Sequence, residues 1–287
     1  MAKMNELMCF HTSMKVGGPA YLFEEPETEK ELKEILAQIK AVGKDFYVCG
    51  NGSNLLVSDK GYNGTLICLG KQFNGMEVEG NYIYAEAGES LASLAHMARE
   101  HGLTGLEFAS GIPGTVGGAV VMNAGAYDGE IKDVLVSVAL MDKDGNIIVE
   151  DASKLDLGYR HSNIPERELI VVSAVFALEY GDKDAITAKM NELNARRKEK
   201  QPLEYPSCGS MFKRPEGYFA GKLIQDAGLA GYSIGGAKVS EKHCGFVINT
   251  GEATAQDVYD LTCHIIKTVE EKFGVTLERE VKLLGEF

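Results

Sequence analysis

Residues 111–118 read Gly-Ile-Pro-Gly-Thr-Val-Gly-Gly, four glycines in eight positions. Glycine lacks a Cβ, so such a stretch can take left-handed conformations and turn bare main-chain amides toward an anion. Each glycine also costs folding entropy that packing or binding has to offset. No Gly-Lys-Ser/Thr closes the stretch as in a P-loop, and its spacing is not GxGxxG. The continuation through residue 126, Ala-Val-Val-Met-Asn-Ala-Gly-Ala, is small and apolar, a surface on which a flat ligand can lie. The residues predict a nucleotide cofactor, the alternative being a tightly packed cluster of turns.

A second glycine loop adds weight to the first reading. Phe46-Tyr-Val-Cys49 has the pattern of a short buried strand and runs directly into Gly50-Asn-Gly-Ser-Asn54. Leu55 stands where a dinucleotide fingerprint carries its third glycine, and Leu55 to Ser58 reads as strand rather than helix, which disfavours an ordinary Rossmann site. Two such loops suggest one long ligand.

At 287 residues the chain can bury a substantial core, and two or three subdomains are expected. A net charge of −13 argues against a broad nucleic-acid or anionic-membrane surface. No leader-like start and no long apolar run is present, so the sequence predicts a cytoplasmic protein without membrane insertion, as a monomer or weak oligomer. Six cysteines occur without a CxxC pair, so no metal site is expected. Cys208, beside a serine and a glycine, reads as structural, and the six are expected as reduced thiols.

Thr28 and Glu31 form a capping box for a helix over 28–41 that carries Leu32, Ile35, Leu36 and Ile39 on one face. Strands are predicted at 46–49, 55–57 and 65–69, with a hairpin over 76–87 turning at Gly80-Asn81. Ser90 caps a second helix that carries Leu91, Leu94, Ala95 and Ala98 on one side and ends near Gly102. Strands follow at 134–141, 146–149 and 169–180, then a helix from Asp184 to about Lys200. Pro202 and Pro206 mark a boundary. Beyond it come a short helix around Leu223, a strand over 246–249, a long helix capped by Thr254 that should bury Val258, Leu261, Ile265, Val269 and Phe273 before Gly274, and a closing strand over 280–284. The units expected are 1–70, with 279–287 possibly joining it, 71–201 and 202–287.

Both glycine loops, Tyr159-Arg-His-Ser162, Pro206-Ser-Cys-Gly-Ser-Met-Phe-Lys-Arg-Pro215 and Glu280-Val-Lys282 occur in this order, and over nearly the whole chain the sequence resembles the UDP-N-acetylenolpyruvoylglucosamine reductases. The resemblance implies an α+β fold: a two-subdomain FAD-binding fold of the vanillyl-alcohol-oxidase type plus a C-terminal α+β substrate domain. It also implies a cytoplasmic flavoenzyme of peptidoglycan synthesis, and so of cell wall biogenesis, cell shape and cell division. Such an enzyme uses NADPH and non-covalent FAD to reduce the enolpyruvyl ether of a UDP-aminosugar to UDP-N-acetylmuramate.

Carried onto this sequence, the resemblance assigns Gly50, Asn51, Gly52, Ser53, Asn54 and Leu55, with Gly111, Ile112, Gly114, Thr115, Gly117 and Gly118, to the FAD diphosphate. Asn123, Gly125 and Ala126 would lie beside the flavin. Arg160 would bind the substrate carboxylate as it gains enediolate charge. Ser210 would donate the proton and Glu280 would share the carboxylate end. Tyr159, Lys213, Arg214 and His243 would contact substrate. Arg214, Lys282 and His243 depart from residues seen in some relatives. Short segments before Arg196 and between Pro215 and Leu223 point to a shorter subclass, with no gating role for Tyr205 or Tyr218. His96, His101 and His161 read as ordinary histidines rather than flavin attachment points. A sugar or alcohol oxidase on the same fold, and a non-catalytic nucleotide-binding module, are the alternatives.

Overall fold

The computed structural model describes residues 2–287. The chain forms two compact units, each assembled from separated stretches. The first comprises chiefly Phe23–Asn51 and Thr65–Arg197, and the second Lys3–Leu22, Gly52–Gly64 and Lys198–Phe287.

In the first unit the helix Glu29–Val42 starts at Thr28, whose hydroxyl accepts the Glu31 N–H, and stops at left-handed Gly43. Its Leu32, Leu36 and Ile39 are buried as the spacing predicts. Strand Phe46–Cys49 pairs in parallel with residues 65–68. A five-stranded antiparallel sheet runs in the order Ile147–Asp151, Leu135–Met141, Ile170–Ala177, Tyr82–Glu86, Met76–Glu79. The last two form the expected hairpin, with Glu79 opposite Tyr82 across Gly80-Asn81. Helix Leu91–Glu100 is capped by Ser90, and helix Lys183–Lys200 seats only Ile186, Met190 and Leu193 in the core.

One helix was not legible. The second glycine stretch ends in a six-residue helix, Val116–Val121, with Thr115 as its N-cap. Two adjacent glycines, each roughly 1 kcal/mol less favourable than alanine in a helix, conceal it from a propensity reading. Val116, Ala119 and Val120 are buried, and this packing overrides the propensity.

The second unit is built on a four-stranded sheet, Ser207–Ser210, Phe246–Asn249, Ala237–Val239, Ser233–Ile234. The long helix Ala255–Phe273 buries Val258, Leu261, Ile265 and Val269 in the core of this unit, whereas Phe273, expected with them, is exposed at the last position of the helix. A Thr254–Asp257 capping box begins it and left-handed Gly274 ends it. The Asp59 carboxylate also accepts the N–H groups of Ala255 and Gln256, at 2.9 and 2.8 Å, where the helix dipole favours an anion. The tail strand Lys282–Leu284 lies parallel to Leu55–Val57, so the end of the chain and the segment after the first glycine loop share one ladder. Among the described residues no helix is long and apolar enough to cross a membrane.

Candidate functional site

The first glycine loop has the chemistry of an anion cradle. Among the described residues, the N–H groups of Asn51, Gly52 and Ser53 meet no protein acceptor. Gly52 is left-handed at φ +59, and a Cβ there would overlap the carbonyl of His11. Alternation of left- and right-handed backbone turns successive N–H groups to one side, which is the geometry of a phosphate nest. The loop is held from below by Ser13, whose N–H donates to Gly52 O at 3.2 Å and whose hydroxyl donates to Ser207 O at 2.7 Å. These residues fit the diphosphate of a dinucleotide.

The second loop is wired differently. Its Gly114, Val116 and Gly117 N–H groups donate to the carbonyls of Ile112, Glu89 and Ala87, at 3.0, 2.8 and 2.8 Å. Gly118 N–H reaches the Thr115 hydroxyl at 3.4 Å. Most of the amides that the composition left for a ligand are therefore already bound within the protein. The loop still abuts the first one, because a Cβ on Gly50 would overlap Thr115 Oγ1. It is clamped by the helix Lys183–Lys200: Asn194 donates to Ser110 Oγ at 3.2 Å and the Arg197 guanidinium donates to Gly111 O. Burial holds Arg197 below its usual range, so a guanidinium in poor contact with water stands beside the loop. Sequence reasoning missed Arg197, whose only signal was an arginine near a helix end.

Downstream of the second loop, non-glycine residues with positive φ gather: Asn123, Tyr127, Asp128 and Arg160. Such conformations cost about 1–3 kcal/mol each and persist where surrounding structure enforces them, often at functional sites. Tyr127-Asp128 is a two-residue turn joining Gly125–Ala126 to Gly129–Glu130. Tyr159-Arg160 turns likewise between Gly158 and His161, which exchange backbone bonds at 3.1 and 3.2 Å. Arg160 Nη2 donates to Gly125 O at 3.0 Å, which brings the residue expected at the substrate carboxylate to the segment expected beside the flavin. Its guanidinium carbon lies 5.2 Å from the centre of the Tyr159 ring. Asn123, fully buried, accepts from Lys132 N–H at 2.9 Å and donates to Glu130 and Gly158. The Glu130 carboxyl is held below its usual range, first by Lys132, then by the Asn123 amide and the charges of Lys132 and Arg160.

In the second unit Ser210 ends the strand Ser207–Ser210, whose pairing with Phe246–Asn249 slips at a bulge between Ser207 and Ser210. Gly209 is left-handed there. A bulge re-aims the side chain that follows it, and here that side chain is half-buried Ser210. Immediately after it, Glu280 N–H donates to Met211 O at 2.9 Å and Lys213 N–H to Glu278 O at 2.8 Å. The expected proton donor and the expected carboxylate thus sit on directly paired segments. Asn54 completes the join: its side chain donates to Glu280 O at 3.2 Å, and its carbonyl accepts Lys282 N–H at 3.0 Å. The tip of the first glycine loop therefore anchors the Glu280 segment.

Of the residues expected at substrate, Lys213 Nζ is 2.6 Å from the Glu278 carboxylate and the Arg214 guanidinium lies over Phe219 at 3.9 Å. His243 sits in a loop whose Gly245 O accepts Met211 N–H at 2.8 Å, next to the Ser210 strand. Its ring packs edge-on to Phe246, and burial holds its pKa below the usual histidine value. Burial pushes the Cys208 thiol up to about 11, and its sulfur donates to Leu55 O at 3.4 Å, the surroundings of an inert structural cysteine. Arg160 belongs to the first unit, and Ser210 and Glu280 to the second.

Residues 20–150 match the family described as FAD binding domain, so this α+β chain is a flavin-binding protein. Residues 201–284 match the family described as UDP-N-acetylenolpyruvoylglucosamine reductase, C-terminal domain. The chain is 54% identical to the UDP-N-acetylenolpyruvoylglucosamine reductase of Caldanaerobacter subterraneus subsp. tengcongensis, over 99% of this chain and 93% of that one. It is 50% identical to the enzyme of the same name from Pediococcus pentosaceus, over 98% and 94%. The crystal structure of UDP-N-acetylenolpyruvylglucosamine reductase from Thermus caldophilus superposes with a TM-score of 0.85 at 36% identity, covering 99% of this chain and all of the other. The chain belongs to the UDP-N-acetylenolpyruvoylglucosamine reductase family.

Proposed function

We propose that this protein catalyses the reaction for which its family is named, the NADPH-dependent reduction of UDP-N-acetylenolpyruvoylglucosamine to UDP-N-acetylmuramate, a step in peptidoglycan precursor synthesis. The observation that carries the assignment to this geometry is the direct pairing of the Ser210 and Glu280 segments, tied to the first glycine loop through Asn54. Bound FAD, held non-covalently, supplies the hydride chemistry between NADPH and the enolpyruvyl methylene carbon.

The remaining work falls to side chains. Arg160 offers a planar fork that binds the enolpyruvyl carboxylate through two bonds, and these strengthen as enediolate charge develops. Ser210 Oγ donates the proton to the carbon beside the carboxylate, a feasible task for a weak acid because an enediolate carbon is strongly basic. Glu280 shares the carboxylate end and orients the substrate. Tyr159, Lys213, Arg214 and His243 meet the UDP-sugar. The first loop holds the FAD diphosphate through Asn51, Gly52 and Ser53, the second approaches it from Gly111 to Gly118, and Arg197 is the cation placed at its phosphates. Gly125 and Ala126 stay assigned to the flavin side, and Asn123, fully buried and bonded within the protein, is kept there as support rather than as a contact.

The division at 202 is supported by the C-terminal family match beginning at 201. The acidic charge of −13 supports the proposed lack of nucleic-acid partners, and a cytoplasmic location and a monomeric or weakly oligomeric state are proposed with it on the family resemblance. No separate observation favours the oxidase reading.

Ser210→Ala tests the assignment. In anaerobic stopped-flow, reduction of the flavin by NADPH is expected to survive, while its reoxidation by UDP-N-acetylenolpyruvoylglucosamine slows by roughly 10²–10⁴-fold. Reoxidation at the native rate would remove Ser210 from the reaction. Bleaching of the flavin by a free sugar or alcohol but not by NADPH would replace the reductase with the oxidase.

A further inference from the structure

The polar atoms of Asn123 are engaged inside the protein in a way that no ligand role requires. The residue is fully buried and left-handed, φ +41. Both of its amide protons are committed, one to Glu130 Oε2 and one to Gly158 O, each at 2.9 Å. Its carbonyl accepts Lys132 N–H, also at 2.9 Å. One side chain at the end of the helix Val116–Val121 thereby ties together the hairpin over 125–130 and the turn that presents Tyr159 and Arg160.

The Gly158 carbonyl is the point of leverage. Gly158 and His161 close the turn, and only Tyr159 and Arg160 lie between them. Arg160 is itself left-handed, φ +53, a conformation that a non-glycine residue keeps only under constraint from its surroundings. From that backbone its guanidinium reaches Gly125 O, on the hairpin that Asn123 holds from the other side through Glu130. Ser162, whose hydroxyl donates to Val121 O at 2.7 Å, adds a second tether between the turn and the same helix. With no donor left over, the Asn123 side chain can act on a ligand only through what it holds in place.

We propose that Asn123 is a positioning residue for Arg160: its buried amide locks the Gly158–His161 turn to the 125–130 hairpin and so fixes where the guanidinium meets the substrate carboxylate. The inference rests on the reading of Arg160 as the carboxylate-binding group. A guanidinium displaced by even a fraction of an ångström loses most where charge develops, so the effect falls on kcat more than on KM.

The experiment uses the FAD-loaded full chain. Asn123→Ala is expected to slow flavin reoxidation by UDP-N-acetylenolpyruvoylglucosamine ten- to a hundred-fold, at least five-fold more than it slows reduction by NADPH, with KM rising less than kcat falls. In an Arg160→Ala background the same change is expected to cost less than threefold. Asn123→Asp keeps the shape and the bond from Lys132 but supplies at most one donor in place of two; it is expected to follow alanine, and it decides the matter if the alanine variant does not fold. Native turnover in a folded Asn123 variant, or losses that multiply fully with those of Arg160→Ala, would overturn the positioning role alone. An Arg160→Ala enzyme with native turnover would overturn the reading of Arg160 and this proposal with it.

Discussion

The two glycine loops look alike in composition and behave differently in structure. Among the described residues, the three consecutive N–H groups of Asn51, Gly52 and Ser53 meet no protein acceptor, and Gly52 is left-handed. Residues 111–118 direct the amides of Gly114, Val116, Gly117 and Gly118 onto protein oxygens. The first loop presents open backbone donors, which is why it is the one proposed to cradle the diphosphate. The second is a tightly wired support that ends in a short helix and carries Thr115 against the start of the first. Glycine count alone does not separate a cradle from a buttress, because both need backbones to approach closely. What separates them is where each N–H points, and that depends on partners distant in sequence.

The contrast is open to attack by substitution. Gly52→Val should have the largest effect, since it places a branched side chain at positive φ and against the His11 carbonyl. FAD affinity, followed by flavin fluorescence quenching, is expected to fall at least about a hundred-fold. A Gly52→Val protein that binds FAD normally would show that the first loop is not the cradle.

Arg197→Met should come next. It removes the half-buried guanidinium beside Gly111 while keeping much of the stem, and FAD is expected to bind about tenfold more weakly with a shallower dependence on salt. An unchanged salt dependence would place that charge away from the phosphates and leave Arg197 as a clamp on the loop.

Gly118→Ala should be the mildest. Its Cβ would meet only Thr115 Oγ1 at 3.6 Å, an ordinary contact, and the backbone is helical. Apo-protein stability in urea is expected to rise by roughly 0.5–1 kcal/mol, the usual difference between alanine and glycine in a helix. On the proposed assignment of Gly118 to the cofactor, FAD affinity is expected to fall severalfold. Unaltered affinity would remove Gly118 from the cofactor contacts and complete the division of labour between the loops.

Where periodicity and caps agreed, the elements were readable to within a residue or two. Thr28 with Leu32, Leu36 and Ile39, Ser90 with Leu91 and Leu94, and Thr254 with Val258, Leu261, Ile265 and Val269 all mark helices found where predicted. Local signals suffice there because a cap and an apolar stripe are both properties of neighbouring residues. The helix Val116–Val121 and the two-stranded pairing of Ser233–Ile234 with Ala237–Val239 were not readable. In the first, glycine hid the helix. In the second, Gly235 and Gly236 turn strands too short to show alternation.

The candidate site divides in the same way. Motif order named Arg160, Ser210 and Glu280 as residues to watch, but no sequence pattern shows that Glu280 pairs next to Ser210 or that Asn54 holds both the loop end and the Glu280 carbonyl. Arg197 and the internal commitments of Asn123 left no trace either, since burial and hydrogen-bond partners are not written in spacing.

By itself, the amino-acid order determined the capped, periodic helices, most of the strands, the net acidic charge and the presence of two glycine-rich loops, because each follows from propensity, periodicity or charge within a short window. Only the tertiary structure decided which of those loops keeps its amides free, which side chain holds the Arg160 turn, and that the end of the chain returns beside Leu55–Val57 to bring Glu280 to the Ser210 strand. Each of those outcomes needs a partner tens or hundreds of residues away, and the cost of closing such distances is met only when the whole unit packs.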